Sequence, residues 1–146
     1  MNENIREIST IKHPNTFLRS LPPGFDGAFD WAWLIECFKG TKITPSDIDA
    51  VVERKGFFLV FETKSPGVEV PIGQMITLRR LYEIGCFSIC IIHGKTEPVS
   101  FEFWLCKEMG GGVFSEKRGK IKEKLYQYVK RWFEVANSLK RKAKIA

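Results

Sequence analysis

Three ionisable residues lie within or next to the two segments of the chain that are richest in strand-forming side chains. Asp49 directly precedes AVVER, and Glu62 and Lys64 end the run FFLVFETK. A carboxylate among apolar neighbours is costly unless something offsets its charge. Two carboxylates and an amine in one place are a set that can hold a divalent cation and act on a bound phosphodiester.

A tight reversal at residues 55–56, within the sequence RKGF, predicts that these two segments form a hairpin. With this two-residue turn, Asp49 faces Glu62 and Asp47 faces Lys64 across the hairpin. Side chains alternate along a strand, so all four project from the same face. The pattern therefore predicts three carboxylates and an amine on one face of a sheet.

Facing carboxylates repel each other, and partial burial raises the cost, so this arrangement favours a bound Mg²⁺ or Mn²⁺ ion. One or two carboxylates, the backbone carbonyl of Thr63 and several waters would complete its shell. Lys64 reaches the same place and could orient a water or offset charge on a phosphodiester. The alternative is structural: Asp47 and Lys64 form an exposed ion pair, and Asp49 faces water.

The order of these residues resembles that of the PD-(D/E)xK nuclease superfamily, in which an Asp is followed by Glu-x-Lys on the second strand of a hairpin. Here Glu62 lies thirteen residues after Asp49. The continuation ETKSPGVEVPIGQMITLRRLYEIGCFSICIIHG is similar to the VRR-NUC branch and, less closely, to archaeal Holliday-junction resolvases. In it, a Gln opens a helix, and a Gly and an apolar strand follow. The resemblance covers about residues 29–94.

The resemblance implies a restriction-endonuclease-like core with a role for each matching residue. Asp49 and Glu62 would bind the metal, Lys64 would be the catalytic lysine, and Gln74 would lie beside the site.

An acidic residue from the first helix often completes such sites, and the resemblance gives this role to Glu36, with Glu7 as the fallback. The usual Pro-Asp is replaced here by Pro45-Ser46-Asp47-Ile48-Asp49. Asp47 is therefore the alternative metal ligand if the turn of the hairpin is longer.

Hydrophobic periodicity predicts the elements that position these residues. Phe29, Trp33 and Cys37 repeat every four residues and predict a helix over 25–38 with a core-facing stripe. The other predicted elements are hairpin strands over 47–53 and 57–63, a helix over 72–84, strands over 86–94 and 98–107, a flexible connector over 109–114, and a long helix over 117–144. This order predicts an α/β fold with a mixed central sheet flanked by helices.

The positive charge is concentrated at the C-terminal end. Residues 116–146 contain 11 Lys or Arg against 3 Asp or Glu, whereas the chain as a whole has a formal charge of +6. Such a segment suits a polyanion, although a solvated helical face gives the same composition. The predicted phosphate-binding residues are Lys120, Lys124, Lys130, Arg131, Lys140, Arg141 and Lys142.

Composition narrows the class of protein further. No apolar stretch has the roughly 20 residues of a membrane helix, and the first residues lack the apolar run of a secretory signal, so we expect a cytoplasmic protein without a membrane partner. The four cysteines follow no CxxC spacing and predict buried, reduced thiols. His13 and His93 are too isolated to predict a zinc site.

These features predict one domain over 1–146, with an arm over 1–25, a catalytic core over 26–108 and a basic helix over 116–146. The predicted function is a Mg²⁺- or Mn²⁺-dependent endonuclease acting on DNA, by analogy on branched DNA, as a homodimer of viral origin. Two alternatives are a nucleic-acid-binding protein that keeps this fold without activity, and a virus-encoded inhibitor that binds an acidic protein surface.

Overall fold

A computed structural model describes residues 30–139 of the chain. The chain divides into two compact units, residues 1–44 and 45–146. In the first unit, the described residues contain a 3₁₀ helix, Ala32–Phe38. The predicted start of this helix at residue 25 lies outside the described residues.

The apolar stripe predicted for this first helix is wrong in its described part. Trp33 is 67% exposed and Cys37 is also exposed. The reason is the helix type, because a 3₁₀ helix has three residues per turn and residues four apart do not line up on one side. The four-residue spacing therefore indicates no buried face here.

In the described part of the second unit, five strands form a mixed sheet and two α-helices cover its faces. The elements are β1 (Ala50–Arg54), β2 (Phe57–Lys64), α1 (Ile72–Glu83), β3 (Phe87–Gly94), β4 (Pro98–Trp104), a 3₁₀ helix (Lys107–Met109), β5 (Val113–Glu116) and α2 (Ile121–Ser138). Strands β2 and β3 run parallel and the other neighbouring pairs run antiparallel, in the order β1-β2-β3-β4-β5. The predicted α/β fold with a mixed central sheet flanked by helices is confirmed.

The hairpin β1–β2 turns where the sequence predicts it. Lys55 and Gly56 both have positive φ, 52° and 84°, as a type I′ turn requires. The register pairs Ala50 with Phe61, as a two-residue turn at this position demands. The tip is fixed to α2, because Lys55 Nζ donates to the Asn137 carbonyl at 2.9 Å.

Two apolar clusters lie on opposite faces of the sheet because side chains alternate along each strand. Helix α2 packs with the first cluster, whose buried members include Phe57, Leu59, Phe101, Phe103, Ile121 and Trp132. Helix α1 packs with the second, formed by Val60, Leu78, Ile89, Ile91 and Trp104. The strand residues of the second cluster alternate with those of the first, so α1 and α2 cover different faces.

The predicted flexible connector over 109–114 is wrong in its second half, where β5 begins. Gly110, Gly111 and Gly112 have φ values of 118°, 73° and 111°, a conformation that side-chain-bearing residues rarely adopt. They reverse the chain so that Val113 pairs with Trp104. The glycines therefore end the connection after the 3₁₀ helix with a chain reversal that adds an edge strand to the sheet.

The last helix is shorter than the predicted span over 117–144. It begins at Ile121 because Gly119, with a φ of 84°, interrupts the helical conformation before it. It ends at Ser138, since Leu139 is extended. Among residues 30–139, no helix combines the length and the apolar character needed to cross a membrane.

Candidate active site

Glu62 is the centre of the candidate site. It is only 3% exposed and lies near the end of β2, on the sheet face that α1 covers. Gln74, in the first turn of α1, donates from Nε2 to Glu62 Oε1 at 2.9 Å. Lys64 Nζ lies 3.1 Å from the same oxygen. The structure thus brings together three of the residues that the sequence singled out.

Asp49 lies immediately before β1, where the ladder with β2 ends. Its Oδ2 accepts hydrogen bonds from the Thr63 backbone N–H at 2.7 Å and from the Thr63 hydroxyl at 3.0 Å. If β1 began earlier in the chain, a backbone carbonyl of β1 would accept the Thr63 N–H. The Asp49 carboxylate takes the place of that carbonyl. The N–H and C=O of a strand residue point to the same side, so the Thr63 carbonyl also faces the Asp49 side of β2.

The electrostatics of Glu62 show an incompletely compensated carboxylate. Burial raises its pKa above the ordinary 4.5, the ion pair and hydrogen bond with Lys64 oppose this, and the negative charge of Asp49 raises it again. The net direction is upward. Lys64 and Gln74 therefore do not fully offset burial next to a second carboxylate, and a cation at this point would favour the ionised form.

The donor set fits a hard divalent ion held partly by water. Within residues 30–139, no group of three or more His, Cys, Asp or Glu side chains is placed to hold a metal. The available oxygens are those of Asp49, Glu62 and the Thr63 carbonyl. Mg²⁺ is commonly bound by one or two carboxylates together with waters and substrate phosphate, so this smaller set suits Mg²⁺ or Mn²⁺ rather than Zn²⁺.

One predicted acidic residue, Asp47, does not join this group in the way the hairpin pattern implied. Asp47 is exposed and lies outside β1, which begins at Ala50 rather than at residue 47. The expected cross-strand pairing of Asp47 with Lys64 is therefore wrong, and Lys64 pairs with Glu62 instead.

For the acidic residue expected from the first helix, the described residues give only the position of Glu36. Glu36 lies on the 3₁₀ helix of the first unit and is exposed. Glu7, the fallback for this role, lies outside the described residues.

The predicted phosphate-binding residues that the structure describes lie on or next to α2, which packs on the face opposite Glu62. Several of those that the structure describes have acidic partners. Lys124 Nζ contacts Glu116 at 3.2 Å and the Arg118 carbonyl at 2.8 Å. Lys120 and Arg131 each have a glutamate at 3.9 Å. Lys130 is exposed, and Lys140, Arg141 and Lys142 lie outside the described residues. The described part of α2 thus does not line the candidate site.

A cleft beside Glu62 contains charged and hydroxyl side chains that the sequence analysis did not assign to the site. It has a volume of about 350 Å³ and is lined by His93, Ser100, Glu102, Ser115 and Lys117, among others. The sequence signal that could have pointed to Glu102 is the alternation in SFEFW, which places it on the same strand face as Trp104. Trp104 itself is buried, as is Trp132.

Comparisons with known proteins returned no relative from which a function could be transferred. Neither a protein-family model, nor a curated protein, nor a solved structure matches the chain. The function proposed below therefore depends on the chemistry of the residues that the fold brings together.

Proposed function

We propose that this protein is a Mg²⁺- or Mn²⁺-dependent nuclease that hydrolyses phosphodiester bonds in DNA, with a restriction-endonuclease-like core of the PD-(D/E)xK type. One observation carries the proposal: Glu62 is buried beside Lys64 and Gln74, and the charge of Asp49 raises its pKa further. Ionisable groups with shifted pKa values cluster at functional sites, and a bound cation would stabilise the ionised form of this carboxylate.

Each residue has a distinct task in this proposal. Asp49, Glu62 and the Thr63 carbonyl would hold the ion, which would polarise a phosphate and lower the pKa of a coordinated water. Gln74 and Lys64 both contact Glu62 Oε1, which fixes the carboxylate and leaves Oε2 to face a ligand. Asp49 is held in the same way, because Thr63 binds one of its two oxygens.

Lys64 contributes a positive charge next to the expected position of the scissile phosphate. Its side chain is 21% exposed, so it is partly shielded from water while it remains accessible to a substrate. An ammonium group there stabilises the negative charge that develops on the phosphate as a water attacks. It also keeps the site from repelling a polyanionic substrate.

The proposal extends to the DNA substrate and to the oligomeric state of the protein. We propose cleavage of branched DNA within the strand by a homodimer. The charge of residues 116–146, with 11 basic against 3 acidic residues, supports phosphate binding outside the cleavage site. Such binding would be independent of sequence and sensitive to salt.

The decisive experiment is cleavage of supercoiled plasmid and four-way-junction DNA with Mg²⁺, Mn²⁺ or EDTA. We expect cleavage that EDTA abolishes, and a loss of about 100-fold or more in Glu62→Gln. The matched control is Glu83→Gln, an exposed substitution near the end of α1, which should cut like the wild type. Cleavage by Glu62→Gln at the wild-type rate, or no cleavage by the wild type with either metal, would overturn the proposal.

A second candidate is a nucleic-acid-binding protein without catalysis, and the bonds of Asp49 favour it. Its Oδ2 already accepts two hydrogen bonds from Thr63, which is a sufficient structural reason for the residue. Asp49→Asn separates the candidates, because an amide oxygen can still accept from Thr63 but is a poorer metal ligand. A nuclease would lose cleavage while staying folded. A purely binding protein would retain its affinity for DNA and have no cleavage to lose.

A further inference from the structure

We infer that the cleft lined by Glu102 binds an unpaired nucleobase that carries an exocyclic amino group, beside the phosphate at Glu62. The inference rests on the proposed function and names the substrate feature that the site recognises. The cleft opens on the same sheet face as Glu62 and has a volume of about 350 Å³, within the usual range for small-ligand pockets.

The register of the sheet fixes the relation between the two places. Glu62 on β2 pairs with Ile91 on β3, and Ile91 pairs with Glu102 on β4. The two glutamates therefore stand in one row across the sheet, two strand spacings or about 10 Å apart at the backbone. In the next row, Lys64 pairs with His93, and His93 pairs with Ser100. A nucleotide bound at Glu62 would have its neighbour in the cleft.

Glu102 supplies the chemistry of recognition. Its Oε1 accepts a hydrogen bond from Trp104 Nε1 at 2.6 Å, so the buried indole orients the carboxylate. Within the part of the chain that the structure describes, no Lys, Arg or His lies within ion-pair distance of Glu102. A half-buried carboxylate in this state needs hydrogen-bond donors. The amino group of cytosine is such a donor, and glutamate is one of its recognised partners.

The other lining residues are placed to hold the remainder of a nucleotide. Lys117 is exposed at the cleft and can reach a phosphate. His93 Nε2 lies 2.8 Å from the Val68 carbonyl, and this contact holds the loop after β2 against the sheet. Pro66 and Gly67 of that loop form one wall of the cleft. The cleft thus has a fixed wall, an acceptor and a nearby cation.

The test compares two single-stranded oligonucleotides of equal length, one of dT alone and one with dC at alternate positions. These bases differ in having a carbonyl or an amino group at C4. Binding is measured by fluorescence anisotropy at pH 8 in EDTA, so that no cleavage is needed. We expect the wild type to prefer the dC oligonucleotide by on the order of tenfold. In Glu102→Gln the preference should fall to about twofold or less, because an amide can donate to the thymine carbonyl as well.

Two controls keep the inference apart from general effects on folding or charge. Glu83→Gln should keep the wild-type preference. Lys117→Met should weaken binding of both oligonucleotides by the same factor and reduce the salt slope by about one. No preference in the wild type, or an unchanged preference in Glu102→Gln, would overturn the inference.

Cleavage of the same oligonucleotides in Mg²⁺ separates this inference from the proposed function. Metal-dependent cleavage without a dC preference would refute the base-binding cleft and leave the nuclease proposal standing. A dC preference that Glu102→Gln removes, in a protein that cuts no DNA, would support the cleft and refute the nuclease.

Discussion

The two faces of the sheet each have a cavity, and the cavities differ in what lines them. On the α2 face, a cavity of about 450 Å³ is lined mainly by apolar and aromatic side chains, among them Phe103, Leu105, Tyr128 and Trp132. On the α1 face, the cleft of about 350 Å³ is lined by His93, Glu102 and Lys117 together with hydroxyl groups and apolar residues such as Ile91. The cleft on the α1 face therefore offers more ionisable side chains to a ligand than the cavity on the α2 face does.

The two faces also differ in the hydrogen-bond partners of their polar side-chain atoms. Among the described residues, Trp132 Nε1 is the one buried side-chain nitrogen or oxygen without a hydrogen-bond partner, and it belongs to the α2 face. On the α1 face, Glu62 and Glu102 are each held by a neighbouring donor. Residues that hold ionisable groups in place for ligands commonly lower the stability of the fold. We therefore expect packing on the α2 face to contribute most of the free energy of unfolding.

The largest expected effect is on the α2 face. Phe103 is 2% exposed and packs against Tyr128, with ring centroids 5.5 Å apart. Phe103→Ala removes a buried ring and should lower the free energy of unfolding by about 3–5 kcal/mol. Urea denaturation measures this directly. Ser100→Ala, at the polar end of the other face, is the control and should change it by less than about 0.5 kcal/mol. Equal losses in both variants would remove the distinction between the faces.

A smaller effect is expected at the turn that aligns Asp49 with Glu62. Gly56 has a φ of 84°, and a side chain in this left-handed conformation costs about 1–2 kcal/mol. Gly56→Ala should lower stability by that amount and also slow DNA cleavage, since the hairpin carries the proposed metal ligands. Stability and cleavage are measured on the same preparation. A stable variant with normal cleavage would show that the site does not depend on this turn.

At Glu62, in contrast, we expect a substitution that raises the free energy of unfolding. Its folded pKa is raised above the ordinary 4.5, so the fold favours the protonated carboxyl. That contribution to stability is complete below about pH 4.5 and is lost as the pH rises through the raised folded pKa. Glu62→Gln cannot ionise and should therefore be more stable than the wild type at pH 8, with the difference vanishing near pH 4. Thermal melts across this range test it. A less stable variant at pH 8 would mean that the Lys64 pair outweighs burial.

The smallest expected effect is a difference in reactivity between the exposed cysteine and the buried ones. It involves no change in the free energy of unfolding. Cys37 is exposed, which corrects the expectation that all four are buried, whereas Cys86, Cys90 and Cys106 are buried. Burial raises the pKa of the Cys90 thiol to about 12, so little thiolate forms there. A thiol reagent at pH 8 should modify Cys37 rapidly in the native protein and the others only after unfolding. Fast modification of a second cysteine would show that the sheet opens.

Local sequence signals predicted the hairpin and its surroundings well. The pair Lys55-Gly56 determined the register, because a two-residue turn leaves little choice. The register pairs Ala50 with Phe61, and Asp49 just beyond it bonds to Thr63. The Gln74 helix and the strands β3 and β4 followed from periodicity, with ends displaced by a few residues.

The remaining features depend on contacts that are distant in sequence. Periodicity shows that α2 has an apolar side, but it does not show which sheet face that side covers. The sequence therefore did not reveal that α2 packs on the face opposite Glu62. The strand β5 was missed because three glycines suggested a linker rather than a turn. Glu102 and Lys117 meet His93 only once the sheet has formed.

Metal binding measured by isothermal titration calorimetry tests the central claim most directly, because it isolates the ion from the DNA. Wild-type protein and the Glu62→Gln and Glu83→Gln variants would be titrated with Mn²⁺ in the absence of nucleic acid. We expect binding by the wild type and Glu83→Gln, and a loss of at least tenfold in affinity in Glu62→Gln, as removal of a charged ligand requires. Equal binding by all three proteins, or no binding by the wild type, would contradict a divalent-metal site at Glu62.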